Sequence, residues 1–283
     1  MSRNSFLSIS KATNPWFFFL ATFAWTWFFW ILAALLGLSV ETPAGGILLL
    51  TGVLGPMIMG IVFTYLTYDK MGRRDYFKRI IDFKRIGAKW YLVIFLFVPI
   101  LNLLAALIDF LMGGKGTSWG EAALNFVDQP LSIVPSILFT ALIPFIEELG
   151  WRGYVLDRLQ TNWSALMSSL ILGVVWSLWH LPMFLIEGTY QAGLGVGTLA
   201  FWLFMIGIVP LSFAFTWIYN STRRSILAVI LLHSMVNFTG EILTLTKRAD
   251  TISIALWIVT AVGIAILWGW NKFNVEHPYK ISV

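Results

Sequence analysis

Eight stretches of roughly 20 mostly apolar residues, each long enough to cross a bilayer's hydrocarbon core, succeed one another along this chain with short polar connections. They run over Pro15–Val40, Gly45–Tyr68, Trp90–Met112, Pro130–Gly150, Trp163–Ile186, Gly195–Tyr219, Ile226–Leu245 and Ile252–Trp270. No other feature limits the fold as strongly. Backbone in lipid must satisfy its own hydrogen bonds, which leaves helices or a closed barrel, and runs of this length are helical. Composition agrees, with 58% of the 283 residues hydrophobic and only 12% charged, where a soluble domain carries about 25%. The 15 Trp and 23 Phe suit rings placed at both membrane interfaces. The expected architecture is all-α: a polytopic bundle of about eight transmembrane helices, one domain over residues 1–283, with no internal repeat or inserted soluble domain. The first run is too long for a signal peptide and reads as a retained helix.

The net charge of +5 is a topology signal rather than a nucleic-acid surface, because the basic residues sit in short loops. Lys70, Arg73, Arg74, Lys78, Arg79, Lys84, Arg85 and Lys89 form the densest cluster, and the positive-inside rule places it in the cytoplasm. Both termini then fall inside as well, with Arg3 and Lys11 at one end and Lys272 and Lys280 at the other. Arg223 and Arg224 follow the rule, whereas Lys247 and Arg248 are mild exceptions outside. Asp75–Arg85 mixes charges with Tyr76, Phe77, Ile80, Ile81 and Phe83, a pattern that suits the inner membrane surface. The absence of cysteine excludes disulfides, thiol nucleophiles and thiolate metal sites.

Within lipid the informative residues are the polar ones, since a charged side chain at a helix centre costs about 2.5–3.5 kcal/mol on insertion scales. Glu147, Glu148 and Arg152 end the fourth run. Glu148 and Arg152 are four apart and share a helix face, so they can pair; Glu147 is turned by about 100° and stays free to act elsewhere. Taken alone, this stretch fits a helix-end salt bridge equally well. In the fifth run Trp176 precedes His180 by one turn, placed to pack on the imidazole, and Pro182 bends the chain just beyond. In the seventh, His233 and Asn237 present two polar heads to one side, which interhelical bridging would also explain. Together the three groups supply a carboxylate, two imidazoles and an amide, a set able to hold water, take its proton and stabilise an oxyanion. Asn102, Asp109 and Glu241 are further polar residues in the runs, without an assigned role.

In this order the motifs Glu147-Glu148-x-x-x-Arg152, Trp176-x-x-x-His180 and His233-x-x-x-Asn237 resemble those of the CAAX-protease and bacteriocin-processing (CPBP, or Abi) family of intramembrane peptidases. The resemblance covers about residues 139–238 and includes Arg152-Gly153-Tyr154 and the text around His180. The first three runs carry no matching motif. Trp176 stands where eukaryotic CAAX endopeptidases more often have Phe, and reads as a swap of packing rings. The resemblance implies an intramembrane catalytic cavity in which Glu147 activates water, His180 holds it, and His233 with Asn237 stabilises the oxyanion. Glu148, Arg152 and Trp176 would support the site. The implied substrate is a prenylated CAAX tail, a bacteriocin or other leader peptide, or an unmodified membrane peptide, met among membrane lipids.

A zinc ion held by Glu147, His180 and His233 is the alternative chemistry. It would leave Glu148, already matched to Arg152, as the base, so the metal-free glutamate mechanism is preferred. Rival functions are a proton-coupled transporter using a Glu/His relay and a catalytically silent scaffold. No repeat relates the halves of the chain, as it would in many transporters. One conflict stands: the runs as drawn put Glu147 and His180 each about 9 Å from their helix centres, on opposite sides. They meet only if the fourth helix continues through Arg152 or the fifth is tilted or begins later.

Overall fold

The computed structural model describes residues 14–268, and the terminal lysines and arginines invoked for topology lie outside that range. Helix starts are written locally. Asn14, Thr42, Asp69, Ser164, Thr189, Thr198 and Ser225 each turn a side-chain oxygen onto a backbone N–H two or three residues on. The helices are α1 Pro15–Leu35, α2 Pro43–Val53, α3 Gly55–Thr67, α4 Lys70–Ile81, α5 Ala88–Leu111, α6 Glu121–Asp128, α7 Ile133–Gly150, α8 Leu156–Gln160, α9 Ala165–Trp179, α10 Tyr190–Leu194, α11 Leu199–Ser221, α12 Ile226–Ile242 and α13 Lys247–Trp268. Two short strands, β1 Thr117–Trp119 and β2 Leu243–Leu245, pair antiparallel and tie the loop after α5 to the turn between α12 and α13.

Seven helical segments among the described residues are long and apolar enough to cross a membrane. They are α1, α2 with α3, α5, the Pro130–Gln160 segment, Ala165–Leu185, α11 and α13. With the 17-residue apolar helix α12, these account for all eight apolar runs. The chain is an integral, multi-pass membrane protein of all-α architecture.

Four boundaries differ from the sequence expectation, each for a visible reason. The second run is two helices, because Pro56 has no N–H to offer the carbonyl of Gly52; Thr26 Oγ1 on α1 donates to that oxygen instead, at 2.8 Å. Trp25 and Trp30 satisfy Thr51 and Leu49 carbonyls at the same break. In lipid no water would do this. The fourth run does not end at Gly150 but continues through a π-turn, Trp151–Val155, into α8. The fifth run is α-helical only to Trp179, then tightens into a 3₁₀ turn at Leu181–Leu185 around Pro182. The last begins at Lys247, so Arg248 belongs to α13 and pairs with buried Asp109 on α5. Gly116 N–H and Thr246 Oγ1 complete that carboxylate's partners. Arg248 is therefore a structural ion-pair member rather than a topological charge.

Helix α7 lies between α3 and α12, while α12 also packs on α5 and α11; α9 packs along α11, and α13 between α5 and α11. The approach of α3 to α7 requires glycine on both sides. A Cβ on Gly150 would stand 2.3 Å from the Pro56 carbonyl oxygen, and one on Gly60 would stand 2.7 Å from that of Leu149. Backbone cannot yield as a side-chain tip can. Gly150→Ala should therefore cost about 1–3 kcal/mol of stability, read as a lowered unfolding midpoint of the purified protein in detergent. An unchanged midpoint would mean that the close approach is dispensable.

Candidate active site

The site begins in α7 with two consecutive glutamates that the bundle treats differently. Glu148 is fully buried and Arg152, one turn on at the π-turn, is fully buried too. Arg152 Nη1 donates to both Glu148 oxygens, at 2.9 and 3.1 Å. The guanidinium also packs against two aromatic rings, 4.9 Å from Trp176 and 4.8 Å from Phe215. Its Nη2 reaches Ser212 Oγ at 3.4 Å. A third group closes on the same carboxylate: His233 Nδ1 stands 2.9 Å from Glu148 Oε1. Glu148 thus has its accepting capacity taken up by protein.

Glu147 is buried as well, but it faces α9. Trp176 Nε1–H donates to its Oε2 at 2.7 Å, and no hydrogen bond from the described residues reaches Oε1. Trp176 therefore does more than pack. Its ring centre lies 6.0 Å from that of His180 and 5.3 Å from that of His233, so the indole stands among both imidazoles and the free carboxylate. A Phe here would keep the ring contacts and lose the donor.

The tautomers follow from the partners. His180 sits at the C-cap of α9, where its Nδ1 is 2.8 Å from the Trp176 carbonyl. A carbonyl only accepts, so Nδ1 carries the proton and the neutral ring offers the lone pair of Nε2. That hydrogen bond, rather than ring packing alone, holds the rotamer; Trp179 and Phe204 flank the ring. His233 is governed the same way by Glu148, so its neutral form also exposes a bare Nε2. Asn237 follows one turn along α12, half-buried and without a hydrogen bond to the described residues.

Glu147, Glu148, Arg152, Trp176, His180 and His233 thus come into one cluster, with Asn237 on the same helix as His233. The apparent mismatch in depth is relieved because α7 continues through the π-turn to Gln160, which moves Glu147 inward from the helix end. The sequence reading missed the part played by α11. Phe215 and Ser212 join the Arg152 enclosure, and their only sequence signal is a small hydroxyl one turn from an aromatic in a run without charged side chains. As for zinc, the donor types would suit the ion, but among the described residues no three His, Asp or Glu side chains are arranged to hold one.

Removing only one partner of a fully buried ion pair strands the other. Arg152→Met should therefore destabilise the protein by about 3–5 kcal/mol, and the double change Glu148→Leu with Arg152→Met should recover part of that loss. Unfolding midpoints of the three variants supply the test; no recovery in the double variant would mean that Arg152 acts through its aromatic enclosure instead.

Residues 129–239, which contain every residue of this cluster, match the type II CAAX prenyl endopeptidase Rce1-like family. Over 257 residues the chain is 29% identical to CAAX prenyl protease 2 of Methanococcus maripaludis, covering 89% of this chain and 93% of that protein. Neither comparison favours the transporter or scaffold reading. The cluster lies inside the matched segment, and the chain is an intramembrane endopeptidase.

Proposed function

We propose that this endopeptidase hydrolyses its peptide bond with a water activated by Glu147, without a metal, and that its substrates are prenylated CAAX-type C-termini. The observation that carries the reading is the unequal treatment of the two glutamates: Glu148 is bound by Arg152 and His233, while Glu147 has one oxygen fixed by Trp176 and the other unclaimed by the described residues.

In this scheme Glu147 Oε1 accepts a proton from water as the water oxygen attacks the scissile carbonyl carbon. Nε2 of His180 accepts the water's second hydrogen and sets its direction of attack. The negative charge that develops on the carbonyl oxygen is met by the Asn237 amide and by His233. His233 can donate from Nε2 only as an imidazolium, and the Glu148 carboxylate on its Nδ1 side is placed to balance that charge. When the tetrahedral intermediate collapses, the C–N bond breaks and Glu147 returns its proton to the leaving amine. The donor set offers no cage for zinc, so no step passes through one.

Substrate class rests on the activity named for the Methanococcus relative and on the setting of the site, a small polar cluster within an otherwise apolar bundle. A lipid-modified C-terminus would partition into the bilayer and present its peptide bond at that cluster. The basic segment Asp69–Lys89 makes its own end of the bundle the cytoplasmic one, which places both termini inside.

The test is cleavage of matched peptides, prenylated and unmodified, by the purified protein in lipid, followed by mass spectrometry. Glu147→Gln should lose about 10³-fold or more in kcat with an unchanged unfolding midpoint, and chelator should leave the wild type unaffected. Full activity in Glu147→Gln, or loss in chelator, would overturn the mechanism; equal cleavage of both peptides would overturn the substrate class. Asn237→Ala should cost about 10²–10³ in kcat and little in KM, and a change confined to KM would remove the amide from the oxyanion's partners. For Trp176→Phe a loss of about 10- to 100-fold in kcat is expected, the scale of one hydrogen bond to a charged group; wild-type kcat would reduce Trp176 to packing.

A further inference from the structure

The π-turn that follows the two glutamates is held from outside the catalytic helix. A π-turn inserts one residue into helical register and disturbs the regular pairing of the carbonyls around it. Two carbonyls, one just before this turn and one within it, receive side-chain donors from α4, the short helix at the basic end of the bundle. Tyr76 Oη–H donates to Leu149 O at 2.9 Å, and Arg79 Nη2 donates to Gly153 O at 3.1 Å. Leu149 immediately follows Glu148, and Gly153 immediately follows Arg152.

Both donors are themselves fixed. Tyr76 is fully buried and its ring lies against Gly153, so closely that a Cβ there would come to 3.0 Å from Cε2. Burial raises the pKa of the hydroxyl, which keeps it a donor throughout the working range. Arg79 is anchored by ion pairs to Asp75 and Asp157 and by Tyr219. The other side of α4 carries exposed Met71, Arg74, Lys78 and Ile81, and its buried face meets the π-turn, α12 and, through Arg79 and Tyr219, α11.

We propose that α4 acts as a brace for the active site, with Tyr76 and Arg79 as positioning residues. They hold the Leu149 and Gly153 carbonyls and so fix the π-turn that sets Arg152 beneath Glu148 and aims Glu147 at Trp176. The inference rests on Glu147 being the base, and none of the residues it adds touches substrate. A carboxylate misplaced by about 1 Å is enough to cost catalysis heavily while substrate binding persists.

Tyr76→Phe removes one oxygen and keeps the buried ring. In the full chain in lipid it should lower kcat about tenfold with KM within about twofold of wild type. Hydrogen exchange should at the same time accelerate in the peptide covering 147–155 and stay unchanged in α9 and α11. Gly153→Ala displaces the same ring from the opposite side and should give the same pair of effects. Wild-type kcat in both variants overturns the proposal, and so does a fall in kcat with unchanged exchange over 147–155. Exchange can be measured whether or not the peptides are cleaved, so failure of the proposed chemistry, seen as a wild type that cuts nothing, remains distinct from failure of the brace.

Discussion

A guanidinium and a carboxylate, both wholly buried, stand four residues apart on the helix at the centre of this protein, and neither could stay charged there alone. Much of the surrounding structure follows from making that pair tenable. Trp176 from α9 and Phe215 from α11 pack against the guanidinium, Ser212 takes one of its remaining hydrogens, and His233 from α12 shares the carboxylate. Three helices are thereby fixed in azimuth around α7. The same arrangement occupies Glu148 and so leaves its neighbour Glu147 as the carboxylate with unspent capacity. Site geometry and bundle geometry share one cause.

The solvent imposes a second rule. Where a helix breaks in lipid, its freed carbonyls need protein donors, and this chain supplies them from neighbouring helices: Thr26, Trp25 and Trp30 at the α2–α3 break, and Tyr76 and Arg79 at the π-turn. Irregular backbone is tolerated only where a partner helix brings a side chain to it. This explains why the breaks coincide with the closest helix contacts, such as Gly60 and Gly150 across α3 and α7.

Much of this was legible in the residues and some was not. Apolar runs long enough to span lipid announce themselves, so the number of crossings and the all-α class could be read directly. The spacing of Glu148 and Arg152 foretold their pairing, because both lie within one turn of one helix. What depended on neighbouring helices was hidden. Nothing near Trp176 in sequence indicates that its indole N–H would meet Glu147, 29 positions earlier, and the part of Phe215 depends on how α11 is rotated against α9. The π-turn was missed because the apolar pattern ends at Gly150 while the helix does not. Beyond that point the helix buries Arg152, Asp157 and Arg158, which hydropathy reads as surface.

The π-turn also makes the length of this helix a form of information. It amounts to one residue more than α-helical register requires, so the turn shifts everything beyond it by about 100° and about 1.5 Å relative to a continuous α-helix. Glu147 and Glu148 lie on one side of that shift; Tyr154, Asp157 and Arg158, which address α1, α3, α4 and α11, lie on the other. A single-residue deletion between the two groups that spares Arg152 would remove no group of the site and yet set the catalytic half out of phase with the half that anchors it. Among relatives that share this architecture, substitutions should be tolerated across 149–157 more readily than any change in the number of residues there.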